Sequence, residues 1–168
     1  MKQLALINPR NVSDAEVATY SLREAARAIV LDDTRLVALL HVTRDAYYKL
    51  PGGGLEGTED RHIALQRECL EEIGCDVETI QEIGSTVEYW KEDKEKQISY
   101  CYIASVVGAK GTPTLTESEK ERGFETVWLS FDDAIEILKR CRPTQWEGDY
   151  IVQRESIFLE EARKYLQQ

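Results

Sequence analysis

Residues 20 to 31 alternate between Leu22, Ala26, Ala28 and Val30 on one face and Arg23, Ala25, Arg27 and Ile29 on the other, which predicts a strand. Asp32-Asp33 turns the chain into Arg35 to Val42, a run apolar enough to be buried on both faces. The next segment, His41 to Leu50, leads into Pro51-Gly52-Gly53-Gly54, a glycine turn that permits close backbone approaches. Beyond it the period changes from two to 3.6, and a helix is expected from Glu59 to Ile73. Thr58 is its expected N-cap, Glu59 and Asp60 occupy the first turn where the dipole favours negative charge, and Gly74 is the left-handed stop. On this helix Ile63, Leu70 and Ile73 are expected to face the core, with Glu68, Glu71 and Glu72 on the opposite arc.

Two further strands, Ile80 to Trp90 and Gln97 to Val107, flank the charged tip KEDKEK and read as an antiparallel hairpin. Gly108 to Gly123 is expected to be a loop, and Glu125 to Leu129 a last strand. Ser130 then caps a helix from Phe131 to Arg140. Tyr150 to Leu166 forms a terminal helix that packs through Ile151, Phe158, Leu159, Ala162 and Leu166. Residues 1 to 19 read as an accessory arm: a short strand, a turn at Asn8-Pro9-Arg10-Asn11 and a brief helix with Ser13 and Glu16 at its start. Strands around one helix, closed by two helices on the other side, imply a three-layer α/β/α sandwich with a mixed sheet.

With 168 residues the chain is expected to be one domain, long enough to bury a sizeable core. A formal charge of −10 argues against nucleic acid as a partner, because that binding depends on clustered Lys and Arg, but it leaves small phosphorylated ligands open. Cys69, Cys75, Cys101 and Cys141 form no C-x-x-C pair and lie in apolar contexts, which suggests a reducing, cytoplasmic setting rather than disulfides or zinc. No apolar run reaches membrane-spanning length, and MKQLALINPR lacks a secretory core, so no membrane partner is expected.

The chemistry concentrates between Gly53 and Cys75. Three carboxylates within one helical turn repel one another unless their pKa values rise or a cation is held, and a hard divalent ion such as Mg²⁺ suits oxygen ligands and phosphates. An E-x-x-E-E triplet by itself is most often a solvated helix face. Here, however, Gly53, Glu59, Arg67, Glu68, Glu71, Glu72 and Gly74 fit G-x5-E-x7-R-E-U-x-E-E-x-G-U, with Cys69 and Cys75 at the two aliphatic U positions. This resembles the Nudix box, and the chain is similar to Nudix hydrolases. The resemblance implies a Nudix-type sandwich and a phosphoanhydride hydrolase that uses Mg²⁺, with Mn²⁺ as a substitute. It further implies Glu68 and Glu72 as chief metal ligands, Glu71 completing the shell, and the Gly52 carbonyl as a further donor. Glu68 is also the candidate general base, Arg67 the residue that orients a box carboxylate, and Glu59 an anchor between loop and helix. Relatives commonly add an acidic group from the loop before the last strand, where Glu117, Glu119 and Glu121 are the candidates and Glu119 is preferred.

Substrate contacts are expected from Arg27 and from the set His41, Arg44, Tyr47, Tyr48 and Lys49, which combines cations for phosphate with rings for a base or sugar. His41 and His62 lack a second ligand at metal spacing, which favours structural roles. The resemblance points to a nucleoside diphosphate linked to another moiety, with a nucleoside triphosphate, oxidised ones included, placed first and cut to monophosphate and pyrophosphate. ADP-ribose or another nucleotide sugar is the alternative, disfavoured because Tyr89-Trp90-Lys91 lacks the proline that ADP-ribose relatives often carry there. A silent nucleotide-sensing domain is a third reading, opposed by the intact box. A monomer or homodimer is equally compatible with the sequence.

Overall fold

The computed structural model describes residues 1–166 and consists of one mixed sheet between helices. The strands are β1 (Gln3–Ile7), β2 (Ser21–Leu31), β3 (Val37–Val42), β4 (Tyr47–Lys49), β5 (Gly52–Gly54), β6 (Asp76–Trp90), β7 (Glu95–Val107) and β8 (Phe124–Leu129). The helices are α1 (Asp14–Val17), α2 (Arg61–Ile73), α3 (Glu117–Glu121), α4 (Phe131–Arg140) and α5 (Trp146–Leu166). The sheet runs β1-β6-β7-β2-β3-β4, with β5 added to β2 and β8 to β3. β1–β6 and β2–β7 are parallel, whereas β6–β7, β2–β5, β3–β4 and β3–β8 are antiparallel.

Alternation along β2 sorts the core into two layers. Ala26, Ala28 and Val30 pack under α2 with Ala64, Leu65, Cys69 and Ile73. Ile29 and Leu31 pack on the other face with Ala134 and Leu138 of α4 and Phe158 and Leu159 of α5. This is the expected α/β/α sandwich. Its burial is the main favourable term in folding, because each fully buried Leu, Ile or Phe contributes roughly 1.5–3 kcal/mol.

Several local expectations shift. The glycine stretch is a three-residue strand pairing Gly52 with Arg27 and Gly54 with Ala25, so the turn lies just before it. The central helix begins at Arg61, not Glu59, and its N-cap is Asp60 rather than Thr58. The Asp60 carboxylate accepts from the His62 and Ile63 amides, which frees Glu59 for a partner elsewhere. Gly74 does end the helix in the left-handed region, at φ 65°. Ile63 and Leu70 are 53% and 49% exposed, so they are not core; the buried stripe is Ala64, Leu65, Cys69, Glu72 and Ile73. The helix is rotated from the expected orientation because one of its glutamates points inward. Leu22, expected on a buried face, is 61% exposed at the start of β2. Residues 108–123 are not wholly loop, since Thr116 and Glu119 form a capping box on α3. The terminal helix starts at Trp146, four residues earlier than expected. The amino-terminal arm extends the sheet, with Leu6 beside Val87 of β6, and Ser13 caps α1 as expected.

Candidate active site

The glycine strand brings the site together. Gly52 has φ 131°, and a Cβ there would lie 2.1 Å from the Ala26 carbonyl oxygen, so only glycine lets β5 lie this close to β2. A Cβ on Gly53 would lie 2.1 Å from Glu68 Oε1, so the absent side chain is the space the Glu68 carboxylate occupies. Glu68 and Glu72, one turn apart on α2, both face this strand. The Glu72 carboxylate accepts from the Gly52 amide at 2.7 Å and from Lys49 Nζ at 2.6 Å, while Lys49 Nζ also reaches the Gly52 carbonyl oxygen at 3.3 Å. Burial raises the Glu72 pKa above the ordinary carboxylate value, and the Lys49 ammonium works against that rise.

Arg67 holds the loop and helix in register. Its guanidinium binds both oxygens of Glu59 (2.7 and 3.3 Å), the Gly54 carbonyl (3.1 Å), Glu68 (2.9 Å) and Glu71 (3.3 Å). The Glu59 contact raises the pKa of Arg67, which keeps the guanidinium fully charged. The bidentate grip is therefore on Glu59, and the box carboxylates Glu68 and Glu71 share one further nitrogen.

These groups open onto a cleft of about 370 Å³. Glu68, Glu72, Gly52, Arg27, Tyr47, Lys49 and Glu119 line it, so the sequence-expected residues largely converge. Arg67, which backs Glu68, does not line it, and neither do Glu71, Arg44, His41 and Tyr48. The Glu71 side chain is 44% exposed and directed at Arg67, because an i+3 offset carries it off the arc shared by Glu68 and Glu72. Arg44 is 56% exposed at its side chain and pairs with Asp45 outside the cleft. Tyr48 stacks on His41 at 4.3 Å between ring centroids, in a separate groove with Ile137 and Cys141. Strand alternation explains the split, because neighbouring Tyr47 and Tyr48 must point to opposite faces, and Lys49 returns to the cleft side. Glu119 lies at the rim with its carboxylate on the Thr116 amide (2.7 Å) and hydroxyl (2.8 Å). Glu117 pairs with Lys120. His62 lies 3.3 Å from the Thr79 hydroxyl, away from the cleft.

The far wall was less legible. Arg23, Trp90, Arg122, Phe124, Glu147 and Arg154 also line the cleft. Arg122 binds Asp45 (2.8 Å) and the Tyr47 hydroxyl (2.7 Å). Arg154 is 1% exposed and is held by Glu155 (2.6 Å) and Glu88 (3.3 Å); burial opposes its charge, but these two carboxylates outweigh burial and its pKa rises. The sequence does carry a signal for it: Arg154 falls on the packed stripe of Ile151 and Phe158, where an arginine needs a buried partner. Arg27, 5% exposed, donates to the Gly52 carbonyl through Nη1, and its Nε has no hydrogen-bond partner among the described residues. Burial, reinforced by Arg154, lowers its pKa to about 10.

Among the described residues no three His, Cys, Asp or Glu side chains are grouped closely enough to hold a metal ion by themselves. A divalent cation nevertheless fits the donor set. Glu68, Glu72 and the Gly52 carbonyl offer hard oxygens to one cleft, and two of them, Glu72 and Gly52, already share a cation in the Lys49 ammonium.

Comparison with known proteins identifies the family and the fold. The family model described as the NUDIX domain matches residues 21–149, most of the chain. Among solved structures, a MutT protein from Methanosarcina mazei superposes with a TM-score of 0.60 at 16% identity, covering 88% of this chain and 98% of that one. A NUDIX hydrolase from Nitrosomonas europaea gives 0.57 at 20% identity, covering 80% and 88%. An ADP-ribose pyrophosphatase from Streptococcus suis gives 0.52 at 16%, covering 84% and 92%. At these identities the neighbours speak for the fold, and the family match speaks for the chemistry: the chain belongs to the Nudix family and is a Nudix hydrolase.

Proposed function

We propose that the cleft hydrolyses a phosphoanhydride bond in a nucleoside triphosphate, oxidised ones included, releasing monophosphate and pyrophosphate. The observation that carries this reading is the convergence of Glu68, Glu72 and the Gly52 carbonyl on a cleft that Lys49, Arg23 and Arg27 also line. Carboxylates and cations side by side suit a substrate whose phosphates need both a metal and direct positive contacts.

Glu68, Glu72 and the Gly52 carbonyl would hold Mg²⁺, with Mn²⁺ as a substitute. When bound, the ion neutralises charge on the phosphate oxygens and lowers the cost of generating a water nucleophile at neutral pH. Glu68 takes the proton from the attacking water. Arg67 fixes Glu68 through Nη1, and Glu59 fixes Arg67, so the base is held in one rotamer before substrate arrives. Glu71 adjusts the charge around Arg67 from outside the cleft, and Glu119 supplies a further carboxylate at the rim. Lys49 and Arg27, flanking the Gly52 carbonyl, neutralise phosphate oxygens, and Tyr47 contributes a wall to the nucleoside end.

The test is a panel of nucleoside triphosphates, oxidised triphosphates, ADP-ribose, other nucleotide sugars and dinucleoside polyphosphates, assayed for products with Mg²⁺ present. The expected result is monophosphate plus pyrophosphate from a triphosphate, with kcat/KM at least about tenfold above ADP-ribose, equivalent to roughly 1.4 kcal/mol of transition-state binding. Preferred release of AMP from ADP-ribose overturns the substrate ranking. Tight binding without turnover of any member replaces the enzyme reading with a sensor.

A further inference from the structure

The cleft has two chemically different ends. From the Gly52 carbonyl, Lys49 leads toward Phe124, whose ring centroid lies 5.1 Å from its ammonium, with Arg122 at 5.8 Å from the same ring. Tyr47 and Ile151 line this side, giving it the aromatic and apolar surface that suits a nucleobase. In the other direction, Arg27 leaves the Gly52 carbonyl toward Arg154, and Arg23 packs over Gly54, where an added Cβ would lie 3.2 Å from its guanidinium. Trp90 closes that end.

The three arginines differ in what they have left to give. Arg154 is compensated by Glu88 and Glu155. Glu88 in turn accepts from Trp90, Gln97, Ser99 and Thr86, which makes this end a rigid buried network. Arg23 binds only the neutral Gln97 side-chain oxygen, at 2.5 Å, and makes no ion pair among the described residues. Among the described residues Arg27 makes no ion pair either, with Glu155 and Glu72 acting on its charge only at longer range; it is 5% exposed and keeps an unused buried Nε–H. Burying a cation without a direct ion pair is costly, and an unmade hydrogen bond adds to that cost. An anionic ligand group in the cleft would supply both partners.

We infer that Arg27 and Arg23, buttressed by Arg154, form a subsite for the phosphoryl group farthest from the base, so that the substrate lies with its base toward Phe124 and carries at least three phosphates. This rests on the hydrolase reading above and assigns the residues that hold the terminal phosphate and the direction in which the substrate lies. A diphosphate bridging to a neutral sugar would leave the arginine end unfilled.

The test is calorimetric binding to the full chain of an α,β-methylene nucleoside triphosphate and of the matching α,β-methylene diphosphate, with Mg²⁺ present, so that no turnover is required. Wild type should bind the triphosphate at least about tenfold more tightly. Arg27→Gln should remove most of that difference by weakening the triphosphate analogue more than the diphosphate, and Arg27→Lys should restore only part of it, since lysine lacks the planar donor pair. Arg23→Gln, on the more open wall, gives the same reading if Arg27→Gln does not fold. Equal binding of the two analogues by wild type, or equal weakening of both in the variants, overturns the inference. The hydrolase reading is judged separately, by whether wild type releases a mononucleotide from any panel member.

Discussion

Lys49 Nζ lies 2.6 Å from Glu72 Oε1, and the two side chains are only 12% and 2% exposed. A buried carboxylate on the inner stripe of α2 is tolerable because that ammonium and the Gly52 amide meet it. Lys49→Met should therefore destabilise the fold by about 3 kcal/mol, because it strands Glu72 rather than merely deleting a pair. Urea unfolding at neutral pH measures this, and Lys49→Met combined with Glu72→Leu should recover most of the loss. A single variant as stable as wild type would mean that Glu72 is not held by Lys49.

Two neighbouring glycines should fail in different ways. At Gly52 an added Cβ meets the Ala26 backbone, and the φ of 131° is strained for any other residue, so Gly52→Ala should cost at least about 2 kcal/mol of stability. At Gly53 the clash is with the movable end of Glu68, so Gly53→Ala should keep its melting temperature within a few degrees while kcat falls, since it displaces the base. Thermal unfolding set beside steady-state kinetics separates the two, and matching profiles for both variants would contradict the assigned geometry.

Asp32 provides a pH test away from the cleft. Burial opposes its ionisation, but hydrogen bonds from Lys110, Thr34 and Leu36 outweigh it and the pKa falls from 3.8 to about 2. A carboxyl depressed in the folded state contributes stability above its unfolded pKa and loses it as pH falls toward the folded value. Wild type should thus lose stability between about pH 4 and about pH 2, and Asp32→Asn should lack that part of the slope. Parallel stability–pH curves for the two proteins would show that the clasp contributes nothing.

How far the sequence could be read follows from the range of the interactions. Local signals were sufficient for β2, for α4 with its Ser130 cap, and for the β6–β7 hairpin, because period and capping act within a few residues. The helical period of α2 points Ile63 and Leu70 at the core, but the helix is turned because Lys49, a partner 23 residues away that no helical period reveals, draws Glu72 inward. Tyr47 and Tyr48 are equivalent in the sequence as rings before the glycine turn, and only the short strand β4 separates them to opposite faces. The stripe of Ile151 and Phe158 signals that Arg154 is buried, but its partner Glu88 lies 66 residues away and its place in the cleft depends on the packing of α5 on the sheet, which no local pattern reveals. The box residues were the reverse case: their fixed spacing along one loop and one helix made Glu59, Arg67 and Glu68 legible as a unit.

Divalent-metal hydrolysis of a phosphoanhydride is the chemistry we propose for Glu72 and its neighbours. The most direct measurement is mononucleotide release across a Mg²⁺ titration, with EDTA as the zero point, for wild type and Glu72→Gln. Wild type should show no release in EDTA and saturable release with Mg²⁺, and Glu72→Gln should fall by at least about a hundredfold in kcat/KM, or roughly 2.7 kcal/mol, with its circular dichroism unchanged. Release by wild type that persists in excess EDTA, or a Glu72→Gln rate close to wild type, would contradict a metal-dependent role for Glu72.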